Sequence, residues 1–240
     1  MSAEFSVAGR IACVTGASSG LGRAIADALQ AAGAQVVGVA RRPLEGLACV
    51  AADLSDLEAI PDIARRVAAV HGAPQILFNA AGVNTRETAD EVTLAGWRTT
   101  MDLNLAAPFF LAQALVPGMR AAGYGRIVNF ASLQSRRAFP GGISYGASKG
   151  GIAQLTRAMA EAWSRHGITA NALAPGFFPT ELTGPVFGDP ERAARNAAQT
   201  CIGRNGTLED IVGPAVFLAS PASAYVTGQL LYVDGGFTAK

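Results

Sequence analysis

The sequence predicts an α/β fold in which one parallel sheet is covered on both faces by helices. Three observations predict it. Short, unbroken apolar runs alternate with helical patterns along the whole chain. The first run, residues 10–15 (RIACVT), passes straight into a glycine-rich turn and then a helix. Residues able to do chemistry fall at or just past the ends of the apolar runs, where open parallel sheets hold their ligands.

The 240 residues are 50% hydrophobic and 15% charged, which suits one domain over 1–240 with a large core. Formal net charge is +1 and no basic run stands out, which speaks against nucleic acid or an anionic membrane as partner. Residues 1–5 lack the basic-then-apolar pattern of an export signal, and no apolar stretch is long enough to cross a bilayer. Cys13, Cys49 and Cys201 are odd in number, far apart and without metal-ligand spacing. They read as reduced residues of a cytoplasmic protein, and no metal is expected.

In chain order, the first strand (10–15) leads into Gly16-Ala17-Ser18-Ser19-Gly20-Leu21-Gly22, and 24–32 then reads as a helix closed by Gly33. Strand, glycine turn and helix form the context of a phosphate cradle: glycines admit a pyrophosphate to the backbone, and the helix start offers N–H groups and a positive dipole end. A tight turn without a ligand is the competing reading. The second strand (35–40) ends at Arg41-Arg42-Pro43. A dinucleotide fold carries either an acid for the ribose or an arginine for a 2′-phosphate about 20 residues after the glycines. No acid stands here, so the two guanidiniums favour NADP over NAD. Two solvated loop arginines remain the alternative.

Only 41–46 separate this strand from a third at 47–51, although a parallel crossover normally takes a dozen residues or more. The helix expected there must be reduced to a turn. Asp53 and Leu54 follow, then a helix over 56–71 and a fourth strand over 75–78 that runs into Asn79, Ala80, Ala81 and Gly82. Helices are expected over 87–101 and, with Asn104 inside, over 102–122. A fifth strand (125–131) ends at Ser132, and a loop (133–142) leads to a helix from Tyr145 to about 166. A sixth strand (168–173) precedes Pro175-Gly176. The stretch 177–205 is irregular apart from a polar helix at 190–200, the pattern of a substrate lid. A helix at 208–219 and a seventh strand at 229–233 complete the alternation.

Tyr145 and Lys149 stand four apart, hence one helical turn apart on one face. A phenol titrates near 10, and a neighbouring ammonium favours its ionised form, so Lys149 is expected to draw the Tyr145 pKa down towards neutrality. Such a pair exchanges a proton with an oxygen whose carbon exchanges a hydride. Taken alone, the spacing fits a surface tyrosine beside a solvated lysine equally well. What raises it is the convergence of Gly16 to Gly22, Arg41, Asp53, Asn79 to Gly82, Ser132 and Pro175-Gly176 on strand ends.

Together TGASSGLG (15–22), NAAG (79–82), Asn104, Ser132, YGASK (145–149) and PGFFPT (175–180) resemble the classical short-chain dehydrogenase/reductase family over essentially the whole chain. The resemblance implies a Rossmann-like, doubly wound, seven-stranded parallel sheet and a nicotinamide-dependent oxidoreductase. It implies that Tyr145 is the acid/base, that Ser132 stabilises the substrate oxygen, and that Lys149 holds the nicotinamide ribose. Asn104 would keep a water in a proton relay behind Lys149. Asp53, with Leu54 beside it, would meet the adenine, and Asn79 to Gly82 would line the cofactor. Pro175, Gly176, Phe178 and Thr180 would surround the nicotinamide, with Thr180 on its amide. Ala80 departs from the more frequent NNAG, a change that should leave the backbone contacts intact.

Within the family, ASLQS (131–135), APGFFPTEL and LYVDGGFT resemble the gluconate 5-dehydrogenase group, which implies a sugar acid or polyol as substrate. Arg86 and Gln134 would then join Ser132 and Tyr145 at the substrate, an arginine gripping a carboxylate bidentately. Arg136 and Arg137 add positive character, without indicating which points inward. A 3-oxoacyl-thioester reductase, suggested by Phe177, Phe178 and Phe187, stays open, as does a non-catalytic dinucleotide-binding regulator. The family also implies a homotetramer, with the Asn104 and Tyr145 helices at one contact and the last strand at another.

Overall fold

The computed structural model describes residues 3–240. Its strands are β1 (Ile11–Thr15), β2 (Gln35–Ala40), β3 (Ala48–Ala51), β4 (Ile76–Asn79), β5 (Gly125–Phe130), β6 (Ile168–Pro175) and β7 (Leu230–Val233). All pair in parallel, in the order β3-β2-β1-β4-β5-β6-β7. Every residue of β4, β5 and β6 is buried, which is why these strands read as continuous apolar runs rather than alternating ones.

The helices are α1 (Gly20–Ala31), α2 (Ile60–His71), α3 (Leu94–Met101), α4 (Ala107–Ala121), α5 (Ile143–Trp163), α6 (Gly184–Phe187), α7 (Pro190–Gln199) and α8 (Leu208–Ala219). Successive strand residues serve opposite faces. Cys13, Val37, Leu77 and Ile127 pack with Ile60, Leu111 and Met159 of α2, α4 and α5. Ala12, Val14, Ile76 and Val128 pack with Ile25, Leu29, Ile211 and Leu218 of α1 and α8. The sheet is therefore doubly wound. The chain order reverses between β1 and β4, which opens a crevice at the carboxyl ends of these strands.

The short crossover has a concrete solution. No helix joins β2 to β3; instead Leu44 and Leu47 fold back onto the cluster beneath α1 and α8. Leu44 occupies the space directly over Gly38, where any Cβ would collide with it and would stand 3.1 Å from the Ala17 Cβ. A glycine inside a strand and a leucine six residues later thus replace a helix.

Two expected helices change shape. The one placed at 87–101 starts only at Leu94, because the Thr93 hydroxyl caps it by accepting from the Gly96 amide (2.9 Å) and Glu87 holds Thr93 through both its amide and its hydroxyl. The one placed at 102–122 opens with a π-helical turn, Asp102–Ala106, before α4. That wider turn rotates Asn104 into the interior, where it is fully buried. Phe110 of α4 and Leu231 of β7 are exposed large apolar residues on two of the elements expected at subunit contacts. Among the described residues no helix is long and apolar enough to cross a membrane, and no group of His, Cys, Asp and Glu could hold a metal ion.

Candidate functional site

A cleft of ≈ 590 Å³ lies over the carboxyl ends of the strands. The loop after β1 contributes Gly16, Ser18, Ser19, Gly20, Leu21 and Gly22 to its wall. Ser19 is the extended N-cap of α1 (φ −163°, ψ 171°), yet its side chain caps nothing, so the first-turn amides of α1 keep their hydrogen-bonding capacity for a ligand. The Thr15 hydroxyl accepts from the Ala81 amide (3.0 Å) and ties this loop to the end of β4. Arg41 and Arg42, exposed past β2, line the same cleft. Arg42 reaches Glu181 across the opening at 3.6 Å. Asp53 turns one carboxylate oxygen onto the Ser55 amide (2.9 Å) and hydroxyl (2.7 Å). Those bonds, aided by the charge of Arg41, hold its carboxyl below the ordinary range, with Leu54 buried beside it. Free helix-start amides, two guanidiniums without an opposing acid on β2, and a carboxylate for a polar edge fit a phosphorylated dinucleotide.

At the other end stand Ser132, Tyr145 and Lys149. Ser132 stands two residues past the end of β5. Its hydroxyl accepts from the Gln134 amide (3.1 Å), and Ser135 donates to the Lys149 carbonyl (2.6 Å), which bolts the strand end to α5. α5 carries Tyr145 and Lys149 on one face, with Nζ 5.6 Å from the phenol ring centre. The expected effect of Lys149 on Tyr145 is corrected. Burial pushes the Tyr145 phenol up, and the groups opposing this are the Ser132 hydrogen bond and the charge of Arg86. Lys149 is itself buried, donates to the Phe130 carbonyl (2.6 Å), and is pushed down to about 8 by that burial.

Of the residues expected in the cleft, Ala80, Ala81, Gly82, Arg86, Gln134, Pro175, Gly176, Phe178 and Thr180 also line it. Two do not. Asn79 is buried and donates to Asn129 Oδ1 (2.9 Å) and the Pro108 carbonyl (3.3 Å), so it braces β4 against β5 and α4. Asn104 exchanges two bonds with the Val83 backbone (both 2.8 Å) and donates to Ser148 Oγ (3.1 Å). Both its amide hydrogens are thereby used, and its side chain fixes the strand end behind Lys149 rather than facing the cleft. Phe178 is buried in the core beneath α8 and touches the cleft only as a wall residue.

Arg86 is the one non-glycine among the described residues with a positive φ, 56°. Its amide donates to Asn84 Oδ1 (3.0 Å) and its guanidinium to the Leu182 carbonyl (2.6 Å). Backbone strain of this kind gathers at functional positions. Gln134 Oε1 is buried without a partner. Arg136 and Arg137 stay off the cleft; Arg137 lies 5.1 Å over the Phe237 ring instead. Phe187 stays off it too. The sequence did not single out Asn84, Phe139, Glu181 or Arg192, all of which line the cleft. For Asn84 the signal was a short polar side chain two residues before Arg86; the others carried none until the fold brought them together.

A family model described as enoyl-(acyl carrier protein) reductase matches residues 16–238. Gluconate 5-dehydrogenase of Gluconobacter oxydans is 40% identical over 247 residues, covering 98% of this chain and 96% of that protein. The chain belongs to the short-chain dehydrogenase/reductase family. Another member, 2-dehydro-3-deoxy-D-gluconate 5-dehydrogenase of Escherichia coli, is 40% identical with 98% of each chain covered. The crystal structure of a gluconate 5-dehydrogenase from Burkholderia cenocepacia in complex with NADP and tartrate superposes with a TM-score of 0.94 at 36% identity, covering 99% of this chain and 98% of that one. As a short-chain dehydrogenase/reductase, the protein is an NAD(P)-dependent enzyme acting on CH–OH groups of a small molecule. The reading as a non-catalytic regulator falls with that.

Proposed function

We propose that the enzyme interconverts a secondary alcohol and a ketone on a sugar acid or polyol, with NADP as cofactor. The observation that carries the reading is the meeting of Ser132, Tyr145, Lys149 and Arg86 at one end of a cleft whose other end holds Arg41 and Arg42. The nicotinamide, when bound, supplies the hydride chemistry at the carbon. Tyr145 moves the proton at the substrate oxygen: it takes the hydroxyl proton in oxidation and returns one in reduction. Ser132 donates to that oxygen and stabilises its negative charge. Lys149, an ammonium held by the Phe130 carbonyl, orients polar groups beneath the phenol. Arg86 grips a substrate carboxylate and Gln134 a hydroxyl. The 177–205 segment acts as the lid that keeps water from the reacting centre.

The relatives' substrates and the tartrate and NADP bound to the Burkholderia enzyme support an anionic, hydroxylated substrate and the phosphorylated cofactor. A 3-oxoacyl thioester is the second reading, favoured by the apolar wall that Phe139 and Phe177 give the cleft. The test is turnover on sugar acids, polyols and 3-oxoacyl thioesters with both cofactors. Sugar-acid oxidation with NADP is expected, along with a loss of about 10³-fold or more in Tyr145→Phe. Turnover confined to thioesters removes the sugar-acid reading. The exposed Phe110 and Leu231 support a homotetramer, and sedimentation of the purified chain as a monomer would remove that part.

A further inference from the structure

The turn that follows Thr180 is pinned on three sides. The Thr180 side chain packs over the glycine loop, so close that a Cβ on Gly20 would stand 3.1 Å from it. The Leu182 carbonyl takes the Arg86 guanidinium at 2.6 Å. Between them Glu181 meets Arg42 at 3.6 Å. The turn is stiffened internally as well, because Thr183 Oγ1 accepts from the Thr180 amide (2.9 Å) and donates to the Phe178 carbonyl. Glu181 is therefore held at the mouth of the cleft with its carboxylate towards Arg42. The cleft's other acid, Asp53, is turned to Ser55, so Glu181 is the carboxylate that faces the arginine.

We infer that Glu181 is a specificity-determining residue, whose carboxylate competes with the cofactor's 2′-phosphate for Arg42. This rests on the NADP reading above. A phosphate dianion brought against Arg42 must take that guanidinium from Glu181 and then sit beside a like charge. A cofactor carrying a hydroxyl at the same place leaves the pair intact. Glu181 thus narrows the preference for the phosphorylated cofactor, and it joins phosphate binding to the position of the 180–183 turn. Both side chains are about two-thirds exposed, 66% and 68%, so the effect is small and screened by salt.

The experiment is fluorescence titration of NADPH and NADH against wild type, Glu181→Gln, Arg42→Ala and the double variant. Glu181→Gln is expected to tighten NADPH binding about 2- to 5-fold, to leave NADH unchanged, and to have a smaller effect when Arg42 is Ala or at high ionic strength. Unchanged NADPH affinity in Glu181→Gln, or equal shifts for both cofactors, overturns the inference. Arg41→Ala with Arg42→Ala separates the two claims. If that variant keeps its NADPH affinity, the NADP reading fails. If it loses affinity while Glu181→Gln stays at the wild-type value, the role of Glu181 alone fails.

Discussion

Desolvation opposes the charged forms of both the half-buried Tyr145 and the buried Lys149, so in this cleft each needs its surroundings to ionise. Lys149 has a stability consequence with a definite sign. Its pKa is about 8 in the fold against 10.5 for a free lysine, so between those limits the unfolded chain holds more protons than the folded one. Stability contributed at this site therefore rises with pH from about 8 to about 10.5 and is lowest below 8, where a buried ammonium must be carried. The full span is on the order of 3 kcal/mol as an upper bound. Relative to Lys149→Met, wild type is expected to gain stability over this window in urea unfolding; a pH-independent difference removes the claim. The spacing of these two residues was legible because helical geometry is local. The direction of their pKa values was not. It is set by burial, which only the fold supplies, against the smaller opposing pull of Ser132 and Arg86 on Tyr145.

At the scale of elements, the strands and most helices were legible because each carries its own periodicity or turn chemistry. β4, β5 and β6 are mostly apolar and buried at every position, and α7 has Asp189 as its cap and Pro190 in its first turn. The misses share a cause: a contact from elsewhere in the chain overrides the local pattern. Leu44 over Gly38 stands in for a crossover helix, and nothing in a seven-residue loop announces which strand residue it will cover. The π turn at Asp102–Ala106 is stabilised by the bonds of Asn104 to Val83 and Ser148, 21 and 44 residues away in sequence. Asn79 looks like a cleft residue from its place at a strand end, yet its amide is spent on Asn129, its register partner on β5. The glycine-loop and Ser132 positions escaped this problem because they lie just past strand ends, where open parallel sheets hold ligands, and Tyr145 because helical geometry ties it to Lys149.

At the scale of the molecule, the cleft begins at the first strand, and its apolar wall is backed from behind by the segment after β7. Asp234 gathers that segment, accepting from the Gly236 amide (2.9 Å) and from the amide (3.0 Å) and hydroxyl (2.8 Å) of Thr238. The fold this makes carries Phe237, 1% exposed, into contact with Phe139 (6.2 Å between rings) and Phe177 (5.6 Å). Those two rings form the apolar wall of the substrate end, while Phe237 stands behind them and outside the cleft. A buried aromatic acting through two wall residues should therefore tune substrate seating and spare the cofactor end, where α1 and the arginines do the holding. Phe237→Ala is expected to raise the substrate KM about 10-fold while NADPH affinity stays within about 2-fold. Because removing a core ring also costs about 3 kcal/mol or more of stability, Phe237→Leu serves as the volume-conserving comparison and should recover most of the KM. If KM rises and cofactor affinity falls together in both variants, Phe237 supports the whole domain and not that wall. An unchanged KM in a folded Phe237→Ala protein would show that Phe139 and Phe177 hold their places without it.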